Sequence, residues 1–434
     1  MSQTSSHSGN RSSWLFLSGL VLAAGLAVGT DGMQQFLLSG DGPQIDYSSA
    51  LPVQPPRSLS DADRHAAKVA WRYFEKNYQP ESGLVDSVSG YPSGTLWDQG
   101  SYLFALISAR DLGIIDTAQF TRRVEKLLEA MEKIPLFEGV LPNKVYHSRS
   151  LKMVDYKNKT TDTGIGWSAL DIARMLAALR VLERRYPQFS PRIQAVLANW
   201  ELGALAFEGR LHGAQHEGGT VVYKQEGRIG YEQYAARAAA LWGLDTLNAG
   251  SASTIMEWEE VSGIEIPIDQ RRAGTFRAIT PTLSEPFFMQ GLEFGFNRES
   301  ATLASRVYAA QENRYARTGH ITMVSEDNIN QEPYFLYSSV YSNGKNWAVV
   351  TEKGEHHPEL RTISLKAAFA WDALYGTDYT AMARAALKDL ETDRGWASGR
   401  YETTGEINTV TTANTNAVVL EAIHFIAYGP LWPL

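Results

Sequence analysis

In "GRIGYEQYAARAAALWG" (227–243) a Gly-rich loop runs into an Ala-rich helix, and one carboxylate, Glu232, stands in its first turn between Tyr231 and Tyr234. No Ser or Thr lies three residues earlier, so a reciprocal capping box is closed to Glu232; the helix dipole alone would favour its charge. The aromatic flank and the small face of Ala235, Ala236 and Ala239 form a partly dry setting. Such a setting raises a carboxyl pKa and keeps a proton on hand near neutrality, as a general acid requires. Cleaving a glycosidic bond needs a second carboxyl. Four acids stand among similar small and aromatic residues: Asp98 in "GTLWDQGSYLFAL", Asp162 in "TTDTGIGWSALDIARML", Glu326 in "VSEDNINQEPYFLY" and Glu402 in "GWASGRYETTGEINTV". They are the pool for the base and for hydroxyl contacts. Trp97, Trp167, Tyr231, Tyr234 and Trp396 offer stacking faces, and Arg228, in the loop before Glu232, completes the expected substrate-binding set.

Each of these residues also has a purely structural reading. Thr95-x-x-Asp98 has the form of a capping box, and Asp162 suits the N-cap of a helix starting near Gly164 to Trp167. Asp171 pairs more naturally with Arg174, three residues on, than with a substrate. Glu326 and Asp327 read as loop charges, and Glu402 as the brace of a Gly-rich turn. Other chemistries have less support. The chain has no cysteine, which removes thiol catalysis, disulfides and Cys-zinc sites. It also has no Gly-x-Ser-x-Gly elbow, His-Glu-x-x-His, P-loop or dinucleotide fingerprint. His356-His357 lies in a polar loop, and the spacing of His147, His212 and His216 does not demand a lyase-type base cluster. No metal and no cofactor is expected.

The elements that must position these residues are mostly helical. Apolar residues recur at i, i+3, i+4 near 60–78, 97–112, 117–134, 163–185, 190–207, 230–244, 285–295, 299–316, 362–375, 379–391 and 414–427. Long loops separate them, with strand alternation in "GIEIPI" against "GTFRAIT" (263–280) and in 320–350, where "SNGK" signals a hairpin turn. Antiparallel helices without a heptad predict an all-α fold, either an α-solenoid or an (α/α) toroid with long loops and small β-hairpin insertions on its rim, and the lack of a fixed repeat weakens the solenoid. The apolar pattern holds to the end, giving one domain over 45–434 that is helical from about 59.

With 40 Lys plus Arg against 48 Asp plus Glu, the net charge is −8, which argues against a nucleic-acid partner. Residues 1–44 stand apart. The apolar run Trp14 to Gly29 reads equally as a signal-peptide core or as an inner-membrane tether, and the Ser39–Ser60 stretch as a Pro/Ser/Gly linker. Either leading reading exports the rest of the chain, to the periplasm or beyond.

At these same stretches the chain resembles the bacterial family called domain of unknown function 3131. The resemblance rests on "TLWDQGSYLFALISARDLGII", "TGIGWSALDIARMLAAL", "GYEQYAARAAALWG", "EDNINQEPYFLY", "RTISLKAAFAWDALY" and "NTNAVVLEAI", spread over about 60–428. More remotely, the helix start at Glu232 is similar to that of the glucoamylase-like domain of β-1,2-glucan-degrading and cyclic-glucan enzymes, which are (α/α)6 toroids. That resemblance implies a catalytic acid at Glu232, although here the acid follows Tyr231 directly and the spacing differs. The expectation is an exported glycoside hydrolase or transglycosylase acting on an envelope or secreted glucan. The rival expectation is a non-catalytic glycan-binding or assembly subunit of an exopolysaccharide export system.

Overall fold

A computed structural model describes residues 43–276 and 278–432. The expected leader, 14–29, lies outside the described residues; among those described, no helix is long and apolar enough to cross a membrane.

Each of the eleven segments read as helical contains a helix, and side-chain caps set most of the starts. Ser60 and Thr95 form capping boxes with Asp63 and Asp98 at the heads of α1 (Asp61–Lys76) and α2 (Leu96–Asp111). Asp116 caps α3 (Thr117–Lys133) and Ser168 caps α4 (Ala169–Arg185). The predicted start of α4 at 163 is too early. Gly164 and Gly166 take positive φ, and the Trp167 backbone bridges to Ala214, which pins the stretch before the cap in a non-helical path. Then follow α5 (Ser190–Leu197), shorter than the predicted 190–207 because the chain turns into a strand at Ala206–Phe207, and α6 (Tyr231–Ala240). The remaining helices are α7 (Glu285–Met289, continued by a π turn at Gln290–Phe294), α8 (Arg298–Thr318), α9 (Leu365–Tyr375), α10 (Asp378–Ala385) and α11 (Ala413–Tyr428).

Burial sorts these helices into two sets. Every residue of α7 and α9 is buried, and α2, α4, α6 and α11 are buried on nearly all sides. α2 packs on α4 and α11, α4 on α6, α6 on α7, α7 on α9, and α9 on α11. Close approach depends on small residues: a Cβ on Gly100 of α2 would lie 3.0 Å from the Arg174–Met175 backbone of α4. α1, α3, α5, α8 and α10 bury one face each against this set, as amphipathic helices do. Because a returning segment separates successive buried helices, the starts of those helices come together at one end. A single hydrophobic cluster reaches from Ala66 to Leu431.

The small antiparallel sheets lie at the periphery. "GIEIPI" pairs with Met256–Val261 around Ser262 and Gly263, and not with "GTFRAIT", which instead contains the short helix Ala273–Phe276. The sequence reading missed a hairpin, Arg210–Glu217 with Thr220–Gln225 around Gly218–Gly219. Glu326–Asn328 pairs with Phe335–Ser338, and the "SNGK" turn closes Tyr341–Ser342 on Lys345–Asn346, with Asn343 and Gly344 both at positive φ. The expected linker is tied down over its described part: Gln54 N–H donates to Leu374 O at 2.8 Å and Arg57 N–H to Ile426 O at 2.7 Å, at the far ends of α9 and α11.

Candidate active site

The converging helix starts bring six polar side chains into one neighbourhood. On α2, Asp98 accepts hydrogen bonds from Thr95 N–H at 3.2 Å, Thr95 Oγ1 at 2.7 Å and Ser87 Oγ, so its predicted capping role is met in full. On α4, Asp171 is only partly buried. Burial, and then the charges of Glu226 and Asp98, push its pKa up to about 8. Glu226 caps the same helix from outside: its Oε1 accepts from Ser168 Oγ at 2.7 Å and its Oε2 from Ala169 N–H at 2.6 Å.

The expected Asp171–Arg174 pair does not form. Arg174 points into the core, fully buried, and donates to Glu293 at 2.5 Å, to Glu421 at 3.2 Å, to the Tyr234 hydroxyl at 3.1 Å and to Ser101 Oγ at 2.9 Å. These core partners turn Arg174 away from Asp171, which stays at the helix head with Ser168 as its hydrogen-bond partner.

At the start of α6, Glu232 is fully buried and faces away from this neighbourhood. Its Oε2 accepts from Arg271 Nη2 at 2.7 Å and its Oε1 from Gln225 Nε2 at 3.2 Å, while Arg271 also holds Asp269 at 2.6 Å. The loop lies directly on it; a Cβ on Gly227 would sit 3.0 Å from the Glu232 Cα. Burial raises the Glu232 pKa against the opposing charge of Arg271. The expected aromatic enclosure is absent. Tyr231 meets Trp97 edge-on at 5.7 Å and lies beside Glu326 and Glu285, and the Tyr234 hydroxyl donates to Glu293 at 2.6 Å.

The opposite wall begins at the first residue of α7. Glu285 is fully buried, ion-paired with Lys366 of α9, and accepts from Asn414 Nδ2 of α11 at 2.6 Å and from Ser325 Oγ at 3.2 Å. Next to it, on the strand Glu326–Asn328, Glu326 is partly exposed; burial and then the Glu285 charge raise it to about 8, against Lys366. Asp327, 4% exposed, rises to about 7 through burial, with Lys366 opposing. Tyr337 sits across the ladder from Glu326, on the same face. Burial, then the charge of Glu326 and weaker effects of Glu352, Tyr156 and Asp171, lift its hydroxyl well above the usual tyrosine value. Tyr156, 67% exposed, overhangs Asp171, Glu226 and Glu352.

The other expected site residues lie elsewhere or are engaged. Asp162 is exposed in the loop six residues before the true cap, Ser168. Glu402 is held by Arg314 at 2.6 and 2.7 Å and by Arg361 at 3.0 Å; these arginines outweigh the effect of burial and lower its pKa. Trp167, whose Nε1–H donates to His212 O at 3.1 Å, is core, as are Trp396 and Tyr234. Arg228 braces its own loop through Gln225 Oε1 at 2.8 Å and Gly227 O at 2.7 Å. Of the expected stacking residues, Trp97 and Tyr231 border the acids. The sequence reading took Asp171 as the partner of Arg174 and passed over Glu285, Lys366, Asn414 and Tyr337. A usable signal was present for one of them, since Lys366 heads a strongly apolar helix, LKAAFAWDALY, and so must be paired inside.

The pattern described as protein of unknown function (DUF3131) matches residues 65–429. No curated protein matches the chain in sequence. Among solved structures, a candidate glucoamylase from Bacteroides fragilis is 14% identical with a TM-score of 0.62, over 87% of this chain and 95% of that one. An endo-β-1,2-glucanase from Chitinophaga pinensis, in complex with sophorotriose and glucose, is 13% identical with a TM-score of 0.62, over 86% and 94%. An endo-β-1,2-glucanase from Talaromyces funiculosus, with sophorose, is 13% identical with a TM-score of 0.51, over 84% of each chain. At such identities the likeness is one of fold.

Proposed function

The chain belongs to the DUF3131 family, and from that premise we propose that it is a glycoside hydrolase or transglycosylase acting on a bacterial envelope or secreted glucan. In this reading the six buried helices form the inner ring of an (α/α)6 toroid, with the cleft at their starts. The leader at 14–29 exports the domain to the periplasm or beyond, cleaved or kept as an inner-membrane tether.

One observation carries the proposal. Two partly exposed carboxyls, Asp171 and Glu326, both act on the Tyr337 hydroxyl, Glu326 from directly across the ladder, and both are pushed up to about 8. Glu326 gives its proton to the glycosidic oxygen as the bond from that oxygen to the anomeric carbon breaks. Asp171, ionised, takes the proton of a water or an acceptor hydroxyl whose oxygen forms the new bond. The neighbours of similar fold that hold sophorose or sophorotriose make short β-1,2-glucans the first substrates to try. Glu232, the acid expected from sequence, becomes a positioning residue through Arg271.

The test is product release by the full chain from linear and cyclic glucans and bacterial exopolysaccharides, beside Glu326→Gln, Asp171→Asn and Glu232→Gln. The first two variants lose about 100-fold or more in kcat while still binding. Binding with no turnover on any glycan would replace catalysis with the assembly-subunit reading.

A further inference from the structure

Away from the cleft, the outer wall has a notch between α1 and α10. α10 covers eight residues against sixteen in α1, and the sides of the notch are lined by Ala62 and Ala66 of α1 and by Ala381 and Ala385 of α10. Side chains this small leave the space between the helices unfilled, with a volume of about 410 Å³. That lies within the roughly 300–1,000 Å³ of small-ligand sites. The floor is aromatic: Phe369 of α9 and Trp396, each 5% exposed, meet at 5.9 Å, and the Trp396 Nε1–H is already spent on Ala66 O at 3.0 Å.

The polar wall of the notch is held in place from inside. Arg384, stacked at 4.3 Å over Phe369, donates to Asp372 Oδ2 at 2.6 Å and to Asp63 Oδ1 at 2.9 Å, and both carboxylates are buried. Glu391 accepts from Arg72 Nη1 at 2.8 Å and shares a 2.7 Å hydrogen bond with His65. Arg384, Arg72 and, at the rim, Lys388 match the three carboxylates, so with His65 neutral the notch carries no net charge. Asp372 and Glu391 each use two of about four acceptor sites that a carboxylate has, and Arg384 has further N–H groups to give.

We propose that this notch is a second, non-catalytic carbohydrate site, which holds a short run of neutral sugar units of the glucan acted on in the cleft. This rests on the carbohydrate reading above. A sugar hydroxyl both donates and accepts, so it can use a wall that keeps spare acceptors beside spare donors at fixed positions. The aromatic floor takes the apolar face of the sugar ring. The balanced charge gives an anionic or a cationic sugar no advantage. A wholly apolar ligand would strip water from the wall's spare donors and acceptors and return nothing. A polymer that reaches both sites gains apparent affinity over a short oligosaccharide, which engages one at a time.

Affinity electrophoresis and turnover of the full chain read the two sites apart, with linear β-1,2-glucan and sophorotriose as the first probes and the rest of the product-release panel after them. Ala385→Trp fills the notch from an exposed position and leaves the cleft untouched; Ala62→Trp does so from the opposite side should the first not fold. In a Glu326→Gln background, either filling variant weakens retardation by the polymer at least about fivefold. With Glu326 intact, it raises KM for the polymer several-fold, while kcat/KM on the oligosaccharide stays within about twofold. Unchanged retardation and unchanged polymer KM in the filling variants would overturn the second site and leave the carbohydrate reading standing. No retardation and no turnover with any glycan of the panel would bring down both.

Discussion

Two carboxyls with raised pKa values make the pH dependence of turnover a direct test of their roles. Asp171 and Glu326 each hold their proton to about pH 8, chiefly because burial penalises the charge. The working state has one of them protonated and the other ionised, so it is most populated near pH 8. The kcat profile is therefore bell-shaped and centred there, falling about tenfold per pH unit well to either side; an optimum near pH 5 would remove this pair from the mechanism. Glu232 makes the opposite prediction. With Asp269 it shares Arg271 as a direct ion-pair partner inside the core, with Arg210 and Arg228 as weaker countercharges nearby. Arg271→Met strands two buried carboxylates and costs about 3–5 kcal/mol in denaturant unfolding. The double variant with Glu232→Gln recovers part of that loss.

Whole elements place the acids, and one strained glycine shows how. Gly166 has φ +126°, and a Cβ there would lie 1.9 Å from Ala214 O, in the bridge that ties the stretch before the Ser168 cap to the later hairpin. Gly166→Ala must break the two Trp167–Ala214 backbone bonds, of 3.0 and 3.1 Å. The expected cost is more than about 3 kcal/mol, or no folded protein at all. A stability within about 0.5 kcal/mol of the parent, by chemical denaturation, would mean that this bridge does not fix the head of α4. Asp171 owes its position to that head, three residues past the cap.

At the scale of the molecule, the acids set the pH profile of stability. Asp171, Glu326 and Asp327 have folded pKa values raised to about 8, 8 and 7. Their contribution is complete below their unfolded values, about 4, and is lost as pH rises through 7 to 8. Asp63, Asp111 and Glu402 are lowered, as hydrogen bonds and cationic partners prevail over burial, so their contribution is lost as pH falls below about 4. The melting temperature therefore peaks near pH 4 and declines until about pH 8, where these groups have titrated. Asp171→Asn flattens the alkaline limb, as a cleft that trades stability for function should; an unchanged limb would mean that Asp171 titrates as a free acid does.

The sequence by itself determined the helices, because apolar residues at a spacing of 3.6 and caps such as Ser60 and Thr95 are local signals. It also marked the stretches that carry the site, since small residues, acids and rings cluster where buried helices begin. Only tertiary structure decided which acids are free. Glu232 and Glu402 read as candidates until arginines remote in sequence, Arg271 and Arg314, came to meet them. Asp171 read as paired until Arg174 turned inward to Glu293 and Glu421. The physical reason is that a carboxyl's proton affinity depends on its surroundings in space, and those surroundings come from segments tens to hundreds of residues away.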